Sequence, residues 1–315
     1  MPTEPLLKLL DRDFARVAAK ELIDLACPVL RELVNHGTNV FMRCQAETRD
    51  GQEDEHLPIF SLYLHVLEMT DGIEELLRAS CVNPAVPLVR SSFEAVLAME
   101  YILEGDYRRR AFAWMVGYAH TRLDSYERFD PSTRKGKGFA QAIANDKVLN
   151  QISFPPEVDP KRAADSMRQL LAKPQYQEAE ANYQGCKKGK KGGAPQWFSL
   201  FGGPSNLRDL AISLRRGAEY EILYRQWSAV AHGHDVSRFL VPADTGGEAS
   251  IYSLRHAKEL LQVAFYAAHN MLGATEALIR KFRPGEKDSL ARWYIREVRA
   301  PLQKLPRIQV RINPV

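Results

Sequence analysis

The sequence predicts an all-α protein, a multi-helix bundle, on three observations. Apolar residues recur at helical spacing along nearly the whole chain. Alternation with a period of two is confined to Ile308, Val310 and Ile312 at the end. The third observation is composition: of 315 residues, 45% are hydrophobic and 26% charged, enough apolar material for a core and enough charge for a solvated surface.

Each segment is justified by its own pattern. A first helix is expected from about residue 4 to 36, with Leu6, Leu9, Leu10, Phe14, Val17 and Ala18 on one face, a kink at Pro28 and a stop at Gly37. A polar loop over 44–55 leads into a second helix over 58–80. Pro84 opens a third that runs to Glu104, and a fourth follows over 106–129. Between Pro131 and Leu171 the pattern thins to two short amphipathic pieces. Residues 173–206 hold glycines, prolines and the lysines Lys187, Lys188, Lys190 and Lys191, which predicts a long mobile loop. Helical spacing returns from Ser205 with Leu207, Leu210, Ile212 and Leu214. Gly217 separates that helix from one ending at His232, and a long helix over 253–282 and a basic one over 287–303 follow. The organisation read from this is an N-terminal helical segment (1–57), a bundle core (58–275) and a basic C-terminal helix and tail (276–315).

Composition also limits function. No apolar run is long enough to span a bilayer, so no membrane partner is expected. Cys27, Cys44, Cys81 and Cys186 are too scattered for a disulfide framework or a thiolate zinc site, and the expected location is cytoplasmic. The net charge is +4, yet residues 280–315 carry ten basic side chains against three acidic ones. A basic end on a near-neutral body suits an anionic partner such as RNA, as well as a plain solvated helix. The stretch 185–193 lacks the Lys-Ser or Lys-Thr of a phosphate-cradling loop, and no G-x-S-x-G elbow occurs. The contiguous His232, Gly233, His234 and Asp235 do not make a coordination sphere. No cofactor or metal is therefore expected.

The segment Tyr224-Arg225-Gln226-Trp227-Ser228-Ala229-Val230-Ala231-His232-Gly233 carries the candidate chemistry. On an α-helix Arg225 and His232 return to one face, roughly 10 Å apart, with Ser228 and Ala229 forming a small-residue saddle between them. A phosphate fits such a saddle, with a planar guanidinium at one end and an imidazole at the other. In the last turn before Gly233, His232 is placed where the helix dipole favours its protonated form, suited to general acid or base work on a phosphodiester. The competing reading of the same residues is structural: Tyr224, Trp227 and Val230 in the core, Arg225 paired with Glu221, and His232 as a cap.

A second constellation, Arg90-Ser91-Ser92-Phe93-Glu94, places Arg90 and Glu94 at i and i+4 on a helix that is apolar on almost every side. Burial there predicts either a polar network that orients Tyr224, Ser228 or His232, or a structural ion pair. A small-molecule pocket at Arg90 and Glu94 is a third reading. The lysine cluster with Trp197 and Phe198 behind it offers stacking surfaces of the kind single-stranded RNA uses, or only a solvated loop.

Together the R-S-x-F-E motif at Arg90 to Glu94 and the Y-R-x-x-S-x-x-x-H-G motif at Tyr224 to Gly233 resemble a bacterial domain-of-unknown-function family, number 5677. Asn206 to Ala211 is similar to its intervening helix, and the resemblance covers roughly residues 58–275. The Arg225 to His232 spacing further resembles the HEPN superfamily, helical domains that include metal-independent ribonucleases of toxin and antiviral systems. That resemblance implies a HEPN-like homodimer whose two motifs face each other and which cleaves RNA by attack of the ribose 2′-hydroxyl. Arg225 would stabilise the phosphorane and His232 would carry the proton. It also implies an antitoxin or other defence-system protein as a partner. The alternative it leaves is a non-catalytic module for a protein or nucleic-acid partner.

Overall fold

The computed structural model describes residues 10–48, 54–152, 159–189, 193–225, 227, 240–241, 250–251 and 254–305. Helices dominate it, as their apolar spacing predicts. The only strands among the described residues are β1 (Leu240–Val241) and β2 (Ser250–Ile251), an antiparallel pair of two residues each. The alternating Ile308, Val310 and Ile312 lie outside the described residues.

The chain divides into two compact units, one made of residues 1–103 and 207–315, the other of residues 104–206. This differs from the three consecutive segments read from sequence. The second unit is inserted, and the N- and C-terminal stretches share a unit with the motifs.

In the first unit a short α1 (Arg12–Ala18), capped by the Asp11 carboxylate, precedes α2 (Lys20–Glu47). The helix α2 passes through Pro28, and it does not stop at Gly37. The reason is packing. Gly37 is buried where α2 meets α3 (Leu57–Arg78) and α11 (Leu260–Phe282), and Tyr63 donates a 3.0 Å hydrogen bond to its carbonyl. A Cβ on Gly37 would stand 2.7 Å from Met271 Cε and 2.9 Å from the Tyr63 hydroxyl. Here glycine marks a close helix crossing and not a cap.

The helices α2, α3 and α11 pack together around Leu30, Leu33, Val40, Ile59, Val66, Ile73, Val263, Met271 and Leu278. The recurrence of buried residues at three and four is what cuts an apolar stripe down each helix. The next helix, α4 (Val82–Glu104), buries residues on most of its circumference, and Asn270 of α11 donates to its Ser92 hydroxyl at 2.8 Å. Later in this unit come α9 (Leu207–Ser213), then α10 (Gly217–Glu219), which continues into a π-helical turn over Tyr220–Arg225. Arg215, at φ 59°, makes the break between them. The expected basic helix is α12 (Lys287–Trp293), a π-helical turn over Tyr294–Val298 and α13 (Arg299–Lys304).

The second unit holds α5 (Tyr107–Phe129), with the Asp106 side chain capping its first turn, then α6 (Arg134–Asn145) and α7 (Pro160–Ala172). The expected loop over 173–206 is a correction: residues Gln177–Gly189 form α8, and Trp197–Gly202 form a short 3-10 segment. Tyr176, Ala179 and Tyr183 from this stretch join Phe112, Val116, Leu171 and Leu200 in the unit's own core. Glycine and lysine content hid that pattern, because the helix is short and its apolar face is one tyrosine and small residues. His120 stacks on Tyr183 at 3.9 Å and bonds Glu180 at 2.7 Å, adding a polar edge to the same core.

Candidate functional site

Four of the expected residues can be placed around the π-helical turn in the first unit, and three of them meet. The Arg90 guanidinium lies 4.2 Å from the centroid of the Tyr224 ring, and the Tyr224 hydroxyl donates to Glu94. The i, i+4 spacing of Arg90 and Glu94 on α4 is what lets one side chain cover the ring while the other takes the hydroxyl. Tyr220, also on the π-helical turn, stacks on Tyr224 at 5.0 Å. The R-S-x-F-E and Y-R motifs, more than a hundred residues apart in sequence, thus build one cluster.

The electrostatics of the cluster follow from partial burial. Desolvation pushes the Glu94 carboxyl above its ordinary value, although its outer edge is exposed; Arg90, the Tyr224 hydroxyl and His65 pull the other way. Burial and the neighbouring Glu94 push the Tyr224 phenol up, opposed by Arg90. Arg90 Nε is buried with no hydrogen-bond partner among the described residues. His65 of α3 stands 2.7 Å from the Ser91 hydroxyl and belongs to this neighbourhood. Nothing in the sequence ties His65 to these motifs.

Arg225 points out. Its side chain is 76% exposed and bonds Glu221 Oε2 at 3.1 Å, one turn back, while Arg208 bonds the other oxygen of the same carboxylate at 2.8 Å. Those two cations hold Glu221 below the ordinary carboxylate range. Trp227 is buried against Tyr266, with ring centroids 5.6 Å apart. Arg225 also sits in a π-helical turn, where bonding runs from i to i+5, so the 100° step assumed for an α-helix does not hold through this position. Ser228 and His232 lie outside the described residues, as do Gly233, His234 and Asp235. Among the described residues, no three His, Cys, Asp or Glu side chains converge in a way that could hold a metal ion.

Of the lysines, Lys187 and Lys188 are exposed in the last turn of α8, and Lys190 and Lys191 lie outside the described residues. Phe198 is buried, so it does not serve as an open stacking face. Trp197 packs edge-on against Phe198, and a Cβ on Gly117 of α5 would stand 2.7 Å from its Cβ. Phe201, a half-buried aromatic of this unit that carried no signal in the sequence, has a cation over its ring. Arg109 lies 3.9 Å above it.

The class of protein is thus an all-helical chain with a two-motif polar cluster on one helical unit and a second helical unit inserted between the motifs. The model of a family of unknown function, DUF5677, matches residues 56–248, more than half of the chain, and the protein belongs to that family. The match takes in both motifs and the whole inserted unit, and it stops before α11, short of the residue 275 expected from the motifs. No curated protein and no solved structure matches the chain. No described helix is long and apolar enough to cross a membrane.

Proposed function

We propose that this protein is a HEPN-like endoribonuclease of a bacterial toxin or abortive-infection system, which cleaves RNA without a metal ion. The observation that carries the proposal is the setting of Arg225. It is an exposed guanidinium on the π-helical turn whose preceding residue, Tyr224, is fixed by Arg90 and Glu94. Anchoring Tyr224 fixes the backbone from which Arg225 reaches solvent, and a cation so placed can stabilise charge growing on a phosphorane. π-Helical turns recur at functional sites because the extra residue re-aims a side chain.

In the reaction, the ribose 2′-oxygen attacks phosphorus as its proton passes to His232, and the bond from phosphorus to the 5′-oxygen breaks. His232 then returns the proton to that oxygen, leaving a 2′,3′-cyclic phosphate and a 5′-hydroxyl. Ser228 lies between the two motif residues in sequence and is assigned to the phosphate. Two copies of the chain bring two motifs to one RNA, and a neutralising antitoxin or other defence-system protein acts by covering them.

One observation favours a second reading. The Glu221 carboxylate ties down Arg225 and Arg208 together, as in a helical module that binds a protein or nucleic-acid partner without chemistry. Incubation of the purified chain with total bacterial RNA in excess EDTA separates the two. The wild type should yield fragments ending in 2′,3′-cyclic phosphate. Arg225→Ala and His232→Ala should each lose at least about a hundredfold in rate, the usual worth of a general acid-base or charge-stabilising group, and Tyr224→Phe should lose less. Cleavage unchanged in His232→Ala, with the fold intact, would sink the catalytic reading.

A further inference from the structure

We infer that the inserted unit carries a nucleobase-stacking cleft, separate from the Arg225 motif, that holds single-stranded RNA. The assignment rests on RNA being the substrate proposed above. The cleft, of about 520 Å³, opens between the first turn of α5, one face of α8 and the Trp197–Gly202 segment.

Four features make it suited to a planar base on an anionic chain. The first is a flat cationic platform: the Arg109 guanidinium is parked 3.9 Å from the Phe201 ring centroid and held in place by Glu178 at 2.7 Å. With its side chain 44% exposed, Arg109 has surface left for a base, and guanidinium planes are established stacking partners of unpaired bases. The second is strain kept at one residue. Phe201 has φ 59° and ψ 31°, the left-handed region that a bulky side chain avoids, and the following Gly202 has φ 74°. The Asn182 side chain secures this conformation by accepting the Phe201 backbone N–H at 2.9 Å. A phenylalanine left in that conformation, its ring under an arginine, is the kind of local cost that persists where geometry serves a site.

The third feature is room. Ala181 and Gly185 put almost no side chain into the cleft, and a Cβ on Gly185 would meet nothing within 4 Å. The last is charge. Glu178, Ala181, Gly185 and Lys188 form one row along α8 at spacings of three and four, so the exposed Lys188 continues the cleft toward a phosphate.

The test uses the full chain and a fluorescein-labelled single-stranded oligoribonucleotide of mixed sequence. Every sugar is 2′-O-methylated, so that it cannot be cleaved by 2′-oxygen attack, and binding is read by fluorescence anisotropy. Gly185→Leu fills the cleft at a helical position with open space around it, so its melting temperature should equal or exceed that of the wild type. It should weaken binding by about tenfold or more, the loss expected when a base loses its stacking partner, and so should Arg109→Ala. Lys20→Ala, an exposed charge on α2 of the other unit, is the control for loss of one cation and should bind as the wild type does. Lys188→Ala should lower the magnitude of the slope of log affinity against log salt by about 0.7.

Wild-type affinity in Gly185→Leu, or no binding by the wild type, overturns the cleft. Ordinary RNA read in parallel keeps the two proposals apart. Binding that depends on Gly185 and Arg109 with no cleavage leaves the cleft standing without the ribonuclease, and Arg225-dependent cleavage with unaltered binding by Gly185→Leu does the reverse.

Discussion

Tyr224 shows how one side chain gains its place from two distant stretches of sequence. Its ring is covered by Arg90 and its hydroxyl is taken by Glu94, so either partner alone would fix the side chain only in part. His36 shows the opposite, a titratable group that folding leaves poorly served. It stacks on Trp293 at 3.6 Å, whose indole donates to Glu32 at 2.7 Å, while its own Nε2 is buried with no partner among the described residues. Burial first, then the nearby Arg43, pull its pKa below the ordinary value against Glu32 and Glu286. A histidine lowered by folding takes its proton more readily in the unfolded chain, so stability is complete above about pH 6.5 and falls as the pH drops through that value toward the folded pKa. Urea midpoints should therefore decline from about pH 7.5 to about pH 5.5. His36→Phe keeps the stack and should flatten this decline; an unchanged slope would mean that other groups govern it.

At the scale of elements, α2 is the clearest departure from expectation. A glycine after a helical run reads as a stop, yet the helix continues to Glu47, and Gly37 is buried against Tyr63 and Leu67 of α3 and Met271 of α11. Gly37→Val should destabilise the chain by about 1 to 3 kcal/mol through overpacking against Tyr63, Leu67 and Met271, seen as a lower melting temperature. The helices α3, α4 and α5 were legible to within two residues at their ends, because each combines a long apolar stripe with a proline or an aspartate at its start. The helix α8 was not legible. Its buried face is Ala179 and Tyr183 amid glycine and lysine, too weak a stripe to outweigh the loop-forming composition around it. Of the candidate site, the partnership of Arg90 with Glu94 could be read from their spacing. The addition of Tyr224 to that pair was one of several options, and His65 and Phe201 carried no signal.

At the scale of the molecule, the chain leaves one helical unit at residue 104, builds a second and returns at 207. The second unit has its own core around Phe112, Tyr176, Tyr183 and Leu200, which makes local opening of that unit a separable event. Tyr176→Ala removes a side chain that is 1% exposed and should cost about 3 to 5 kcal/mol there. Hydrogen exchange should then quicken in α5, α7 and α8 while α2, α3 and α11 keep their protection. Equal loss of protection in all six helices would show that the chain unfolds as one body.

The all-helical class, the ends of α3, α4 and α5, the two motifs and the family they mark are all legible in the amino-acid order, because they rest on residue spacing within one segment. Folding settles that residues 104–206 form a compact unit of their own, that Gly37 is a packing site, and that Arg90 and Glu94 receive Tyr224. It also settles that Arg109 lies on a strained Phe201. Each of these depends on which helix faces which, and an apolar or charged stripe on one helix carries no mark of the partner it will meet.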